Sequence, residues 1–183
     1  MEPTTEILPM TELSRKPDVV ILDRESRRKC SIYPLKDRPD MQFYEADQLV
    51  YQNTPADFFY GYLFLHVDGP ELTACDCHLP LLILDGSWRR ALYLSQKLAF
   101  WDRLEKRSIH GFTTAYPRKS KLYEMPQSGL ASVEALYIAR LIQGREDVSL
   151  LAHYYWRQQF LEINRDQIAV RQKTGVGMGH AQQ

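Results

Sequence analysis

Residues 84–91 read Leu84-Asp85-Gly86-Ser87-Trp88-Arg89-Arg90-Ala91. The run follows Leu81–Leu84 (LLIL), which begins just after Pro80, and it leads into an amphipathic stretch over Trp88–Arg107. A short apolar run that ends at Asp-Gly and turns into a helical period is the strand-to-helix junction of an α/β domain. Such domains bind ligands at the carboxyl ends of their strands, which is where Asp85 falls. Gly86 allows close backbone approach, and Ser87 is suited to cap a helix. Asp85 and Trp88 stand at i and i+3 and can face one pocket. Singly, each residue reads equally well as a cap or as core; the group of four marks a candidate site.

Other elements follow on either side. Asp18–Leu22 (DVVIL) is a short β-branched run and predicts a buried strand. Arg24–Lys29 reads as a charged turn or the start of a short helix. Tyr60–Val67 (YGYLFLHV) predicts a strand that Asp68-Gly69-Pro70 breaks. In Trp88–Arg107, the residues Trp88, Leu92, Leu98, Trp101 and Leu104 recur at near-helical spacing. Ile109–Ala115 reads as a short strand, and Lys119–Gly129 as a loop. Ala131–Ile142 predicts a helix ended by Gly144. Asp147–Ile168 predicts a long helix, and Thr174–Gln183 a flexible tail. The organisation expected is an N-terminal extension (1–17), one α/β domain (18–170) with a helix-rich C-terminal half, and a tail (171–183).

The 183 residues carry a net charge of zero, yet the charge is segregated. Residues 41–88 hold seven acids and no Lys or Arg, and residues 89–121 hold nine basic and two acidic residues. Binding of nucleic acid by overall charge is therefore excluded, while a local phosphate-binding face is not. No apolar run approaches the roughly eighteen residues of a membrane span. The cysteines are Cys30, Cys75 and Cys77. Their odd count, with no signal-peptide pattern, points to reduced thiols in the cytoplasm. Cys75-x-Cys77-His78 invites a metal reading, but a closed zinc site takes about four ligands and no second pair is evident, so no metal is expected.

Four segments in order carry a resemblance. Asp85-Gly86-Ser87-Trp88 resembles the Asp-x-x-Trp motif of DTW-domain proteins and of the related ribosome-biogenesis aminocarboxypropyltransferases. Lys29-Cys30-Ser31 resembles the Lys-Cys-Ser/Thr of the ribosomal family. Gly129-Leu130-Ala131-Ser132-Val133-Glu134-Ala135-Leu136 is similar to its Lys-Leu-Ser-Cys-Val-Glu-Ala-Leu block. Tyr155-Trp156, with Phe160-Leu161-Glu162-Ile163-Asn164, is similar to its Trp-x-x-x-Phe-Leu-Glu-Leu-Asn signature. The likeness spans roughly residues 18–168. It implies a SPOUT-like knotted cofactor-binding fold. It also implies transfer of the 3-amino-3-carboxypropyl group of S-adenosylmethionine to a uridine-type base in RNA. The target implied is small-subunit rRNA rather than tRNA, because the N-terminal cysteine cluster of tRNA-type DTW proteins is absent. Methyl transfer from the same cofactor, or RNA binding without catalysis, are the competing readings. A monomer is favoured.

By the same resemblance, Ser31 is placed at the ribose, Trp88 beside the cofactor, Phe112, Leu130 and Ala135 around the adenosine, and Ser132 among the cofactor-binding residues. Two segments depart from the pattern. Tyr116-Pro117-Arg118-Lys119-Ser120-Lys121 replaces an Asn-Pro-x-Asn-Tyr-Gly run, and Glu45-Ala46-Asp47 replaces Leu-Ser-Pro. The chemistry itself needs an acceptor for the proton of a weakly acidic base nitrogen, and Asp85 is the candidate. Asp85 equally reads as a cap or as a partner of the cationic cofactor. Arg89, Arg90, Arg118, Lys119 and Lys121 lie near the motif and are the candidate phosphate contacts. Tyr154, Tyr155, Trp156 and Phe160 read as core.

Overall fold

Every residue of DVVIL is buried, so this strand must be covered on both faces. The computed structural model describes residues 15–23, 27, 30–117 and 129–176. In it, β1 (Asp18–Leu22), β2 (Met41–Glu45), β3 (Leu63–Leu65), β4 (Leu81–Asp85) and β5 (Glu105–Arg107) form one sheet in the order β2-β1-β4-β3-β5. Every pairing is parallel. Alternate side chains sort into two cores. Val20, Leu22, Leu81 and Ile83 pack with the helix α3 (Ser132–Ile142), with Phe112 and Ala115, and with Phe160 and Ile168. Val19, Ile21, Leu82 and Phe64 face the opposite layer, with α1 (Ala46–Tyr51) and α2 (Trp88–Ser95). The result is a mixed α/β domain with a layer on each face of its sheet.

Several elements differ from the sequence reading. The expected helix over Trp88–Arg107 ends at Ser95, where i→i+3 bonds from Gln96 to Tyr93 and from Lys97 to Leu94 tighten the chain. Leu94, Leu98, Phe100, Trp101 and Leu104 are all buried, whereas Leu92 is 66% exposed. No single helical stripe contains that set, and the chain turns instead to lay β5 beside β3. With the sequence Glu-Lys-Arg, β5 has no apolar signature; its charges suit the edge strand it forms. The run Tyr60–Val67 contracts to Leu63–Leu65. Residues 41–51, which suggested no element, form β2 and α1.

Ile109–Ala115 is not a strand, because side chains take the backbone groups that a ladder would use. The helix expected over Asp147–Ile168 is a 3₁₀ turn (Val148–Leu151), then α4 (Arg157–Ile163) and α5 (Arg165–Val176). Asn164 marks the break between the two helices, its side chain drawn to the backbone of Thr113. The last helix runs to Val176, into the segment expected to be a tail. The expected features at Arg24–Ser26, Arg28–Lys29 and 118–128 lie outside the described residues. Helix α3 matches its expectation, with Gly144 at φ +72° after it. Among the described residues, no helix is long and apolar enough to cross a membrane.

The amino ends of the strands are held by charge. Asp18 is fully buried and accepts from the Leu81 amide, from Arg140 at 2.8 Å and from Arg145 at 3.0 Å. Arg140 also pairs with Asp40 at 2.6 Å, and Arg38 bridges Asp40 to Asp147. The network therefore joins β1, β4, the start of β2 and the end of α3. Replacing Arg140 by Ala leaves Asp18 short of its main partner inside the core. Urea unfolding of that variant should show a loss of about 3 kcal/mol.

Hydrogen bonds from Arg38, then from Arg140, hold the Asp40 carboxyl below its ordinary value near 3.8 despite partial burial. Burial would raise Asp147, but its bonds to Ser149 and the Arg38 charge bring it lower. As pH falls, the unfolded chain binds these protons first. The stabilisation is complete above the ordinary carboxylate value and disappears as pH drops through the lowered folded-state values. The urea midpoint should stay level down to about pH 5 and then decline toward about pH 2.

Candidate active site

Strand order locates the crevice. From β1 the chain leaves toward β2 on one side, and from β4 it leaves through α2 toward β5 on the other. The carboxyl ends of β1 and β4 therefore flank the switch point at which α/β sheets bind ligands. Asp23 and Asp85 stand there, joined by the Asp23 amide donating to the Asp85 carbonyl at 2.9 Å. Gly86 is required at this point: a Cβ would lie 2.8 Å from the Cβ of Asp23. Ser87 caps α2, accepting from the Arg90 amide at 3.4 Å.

Asp85 is 7% exposed, and both of its carboxylate oxygens are engaged. Oδ1 accepts from the Ser132 hydroxyl at 2.5 Å, and Oδ2 accepts from the Cys30 thiol at 2.8 Å. Burial, then the charge of Asp85, pushes the Cys30 thiol up to about 12, so it stays a protonated donor. The Tyr33 amide donates to Cys30 Sγ at 3.2 Å. One carboxylate thus ties the end of β4 to segment 30–33 and to the first turn of α3.

A second carboxylate builds the neighbouring wall. Glu134 is fully buried on α3. It accepts from the Ala115 and Ala131 amides, the Thr114 hydroxyl and the Tyr154 hydroxyl, at 2.6–2.9 Å. Asn164 grips the same loop from the other side. Its Oδ1 accepts from the Thr113 amide, and its Nδ2 donates to the Thr113 carbonyl, both at 2.8 Å. The backbone of residues 113–115 is thereby fixed beside the N-terminus of α3.

The described residues expected at the site are placed as follows. Asp85 and Ser132 are in direct contact. Half-buried Ser31 follows Cys30 in the chain, and Leu130 and Ala135 flank the first turn of α3, half-buried. Phe112 is buried at the start of the clamped loop. Trp88 is the first residue of α2. Among the basic candidates, Arg89 is exposed. Arg90 is held inward by Asp23 at 2.9 Å and by Asp47 at 3.2 Å, and lies over the Tyr93 ring, so it ties α2 to β1 and α1. Arg118, Lys119 and Lys121 lie outside the described residues. Cys75 and Cys77 are exposed free thiols on a 3₁₀ turn before β4, at the far end of the sheet. Among the described residues, no group of three or more His, Cys, Asp or Glu side chains is placed to hold a metal.

The aromatic group is only partly core. Tyr154 and Phe160 are buried, but Tyr155 is 87% exposed. Half-buried Trp156 stands edge-on to Tyr116 at 5.1 Å. Sequence reasoning assigned no role to Cys30, Glu134 or Asn164, although all three lie in the quoted motifs. An acid on an otherwise apolar helix face, as at Glu134, is the pattern that could have disclosed the loop clamp.

The structure of the SAM-dependent rRNA:acp-transferase Tsr3 from Vulcanisaeta distributa is similar to this chain, with a TM-score of 0.59 at 22% identity. The likeness covers 86% of this chain and 84% of that one. The chain has a Tsr3-like fold. No protein-family model and no curated protein matches it.

In this Tsr3-like frame, Asn164 links the C-terminal helices to the wall of the crevice. Asn164→Ala should release Thr113 and speed amide exchange across residues 112–116, with a loss of about 1–3 kcal/mol in stability. Hydrogen–deuterium exchange and urea unfolding measure the two effects.

Proposed function

We propose that this protein binds S-adenosylmethionine at the crevice between β1 and β4. It then transfers the 3-amino-3-carboxypropyl group to a uridine-type base of small-subunit rRNA. The observation that carries this reading is the contact of Asp85 with Ser132 and with Cys30, next to Ser31 in the chain, at the switch point of a Tsr3-like fold. The residues suit the cofactor chemically. A buried carboxylate favours a nearby cation, a hydroxyl at Ser31 suits a ribose diol, and fixed peptide groups suit an adenine edge. When bound, S-adenosylmethionine supplies an electrophilic carbon on a sulfonium leaving group.

The chain's own residues orient and desolvate. Ser31, Phe112, Leu130 and Ala135 would line the adenosine, and Trp88 would stand beside the cofactor. Phosphate contacts fall to Arg89, Arg118, Lys119 and Lys121, while Arg90 ties α2 to Asp23 and Asp47. The motif resemblance supports reading this end of the sheet as a SPOUT-like knotted region. Free thiols at Cys30, Cys75 and Cys77 suit the reducing cytoplasm.

Incubation with S-adenosylmethionine and small-subunit rRNA should release methylthioadenosine and add the group's mass to one nucleotide. S-adenosylhomocysteine would mark a methyltransferase, modification of tRNA alone would move the target, and RNA binding without turnover would mark an assembly factor. Trp88→Ala should weaken cofactor binding by about tenfold or more in calorimetry. RNA affinity should fall steeply with added salt if the basic stretch 89–121 meets phosphate.

A further inference from the structure

Asp85 is a poor first contact for a nucleobase, because it is buried and both of its oxygens are already accepting hydrogen bonds. Ser132 is the more accessible partner, half-buried on the first turn of α3 with its Oγ 2.5 Å from Asp85 Oδ1. The other carboxylate oxygen is pinned by Cys30, whose thiol sits 2.8 Å away. We propose that Ser132 is the residue that touches the substrate base, and that Asp85 acts through it as the proton acceptor. Cys30 is the positioning residue on the far oxygen. This rests on the group-transfer reading above.

The step balances. The N–H bond of the base breaks as the ring nitrogen forms a bond to the carbon next to the sulfonium. The carbon–sulfur bond breaks, and its electron pair stays with methylthioadenosine. The proton from the base passes to Ser132 Oγ while the hydroxyl proton of Ser132 passes to Asp85 Oδ1. A carboxylic acid remains, and it returns its proton to solvent in the next cycle. Among the described residues, the neighbouring carboxylates and the thiol are already committed. Asp23, on the adjacent strand, is paired with Arg90. Glu134, on α3, already accepts from four donors. Cys30 is held as a thiol, since burial and the Asp85 charge oppose its ionisation.

The full chain carrying Ser132→Ala, Ser132→Thr, Asp85→Asn, Cys30→Ala or the Ser132→Ala/Asp85→Asn pair tests this. The measurements are kcat against pH and the S-adenosylmethionine Kd. In the wild type, kcat should fall at acid pH. Ser132→Ala should lower kcat about a hundredfold and abolish that acid limb. Its cofactor Kd should stay within about threefold of wild type, and the double variant should be no slower than Asp85→Asn alone. Threonine should restore much of the rate. Cys30→Ala should lower kcat while leaving the cofactor Kd within about threefold of wild type.

Ser132→Ala with wild-type kcat and pH profile would overturn the relay. So would a weakened Kd with unchanged kcat, or additive losses in the double variant. If the wild type releases S-adenosylhomocysteine, the transferred group is wrong, but the same rates still judge the relay, because methylation of a ring nitrogen frees the same proton. A wild type that transfers nothing overturns both.

Discussion

A carboxylate shut away from water must find donors, and at Asp85 those donors come from two distant parts of the chain. Cys30 approaches from the segment after β1, and Ser132 from the start of α3. Their meeting fixes where the N-terminal half and the C-terminal helices sit on the sheet. It also makes the crevice a defined place rather than a gap between layers. The same constraint recurs at Glu134, whose four donors set the path of residues 113–115 and the first turn of α3.

The two ends of the sheet are treated differently. At the amino ends, Asp18, Asp40, Arg38, Arg140 and Arg145 neutralise one another, and geometry satisfies each charge within the fold. At the carboxyl ends, Asp85 meets a hydroxyl and a thiol rather than a cation. A carboxylate with neutral partners keeps its charge available to a cationic ligand, which a salt-bridged one does not. That contrast distinguishes the two ends of the sheet, and it follows from the parallel topology, which places all strand termini of one kind together.

The motif segments therefore serve two physical purposes. Asp85, Ser132 and Ser31 stand at the crevice, while Glu134 and Asn164 hold the loop that lines it. Arg90 shows how proximity in sequence misleads. It neighbours Arg89, yet its guanidinium is turned onto Asp23 and Asp47, because consecutive residues of a helix point about 100° apart. Tyr155 misleads in the opposite way: grouped with core aromatics in the sequence, it points outward.

The sequence by itself determined the strands whose apolar runs are continuous, Asp18–Leu22 and Leu81–Leu84, together with helix α3 and the junction at Asp85-Gly86. Local pattern suffices there, since a doubly covered strand has no polar face and a capped apolar helix has one period. Motif order also singled out Asp85 and Ser132, which the fold brings into contact. Tertiary structure alone decided the rest. β5 is a strand only because β3 offers it an edge, and Ile109–Ala115 is not one only because Glu134 and Asn164 occupy its backbone groups. The break at Asn164 and the pairing of Cys30 with Asp85, 55 residues apart, were equally beyond local reading. A hydrogen bond between distant residues depends on where the whole chain places its donors, and no window of the sequence contains that information.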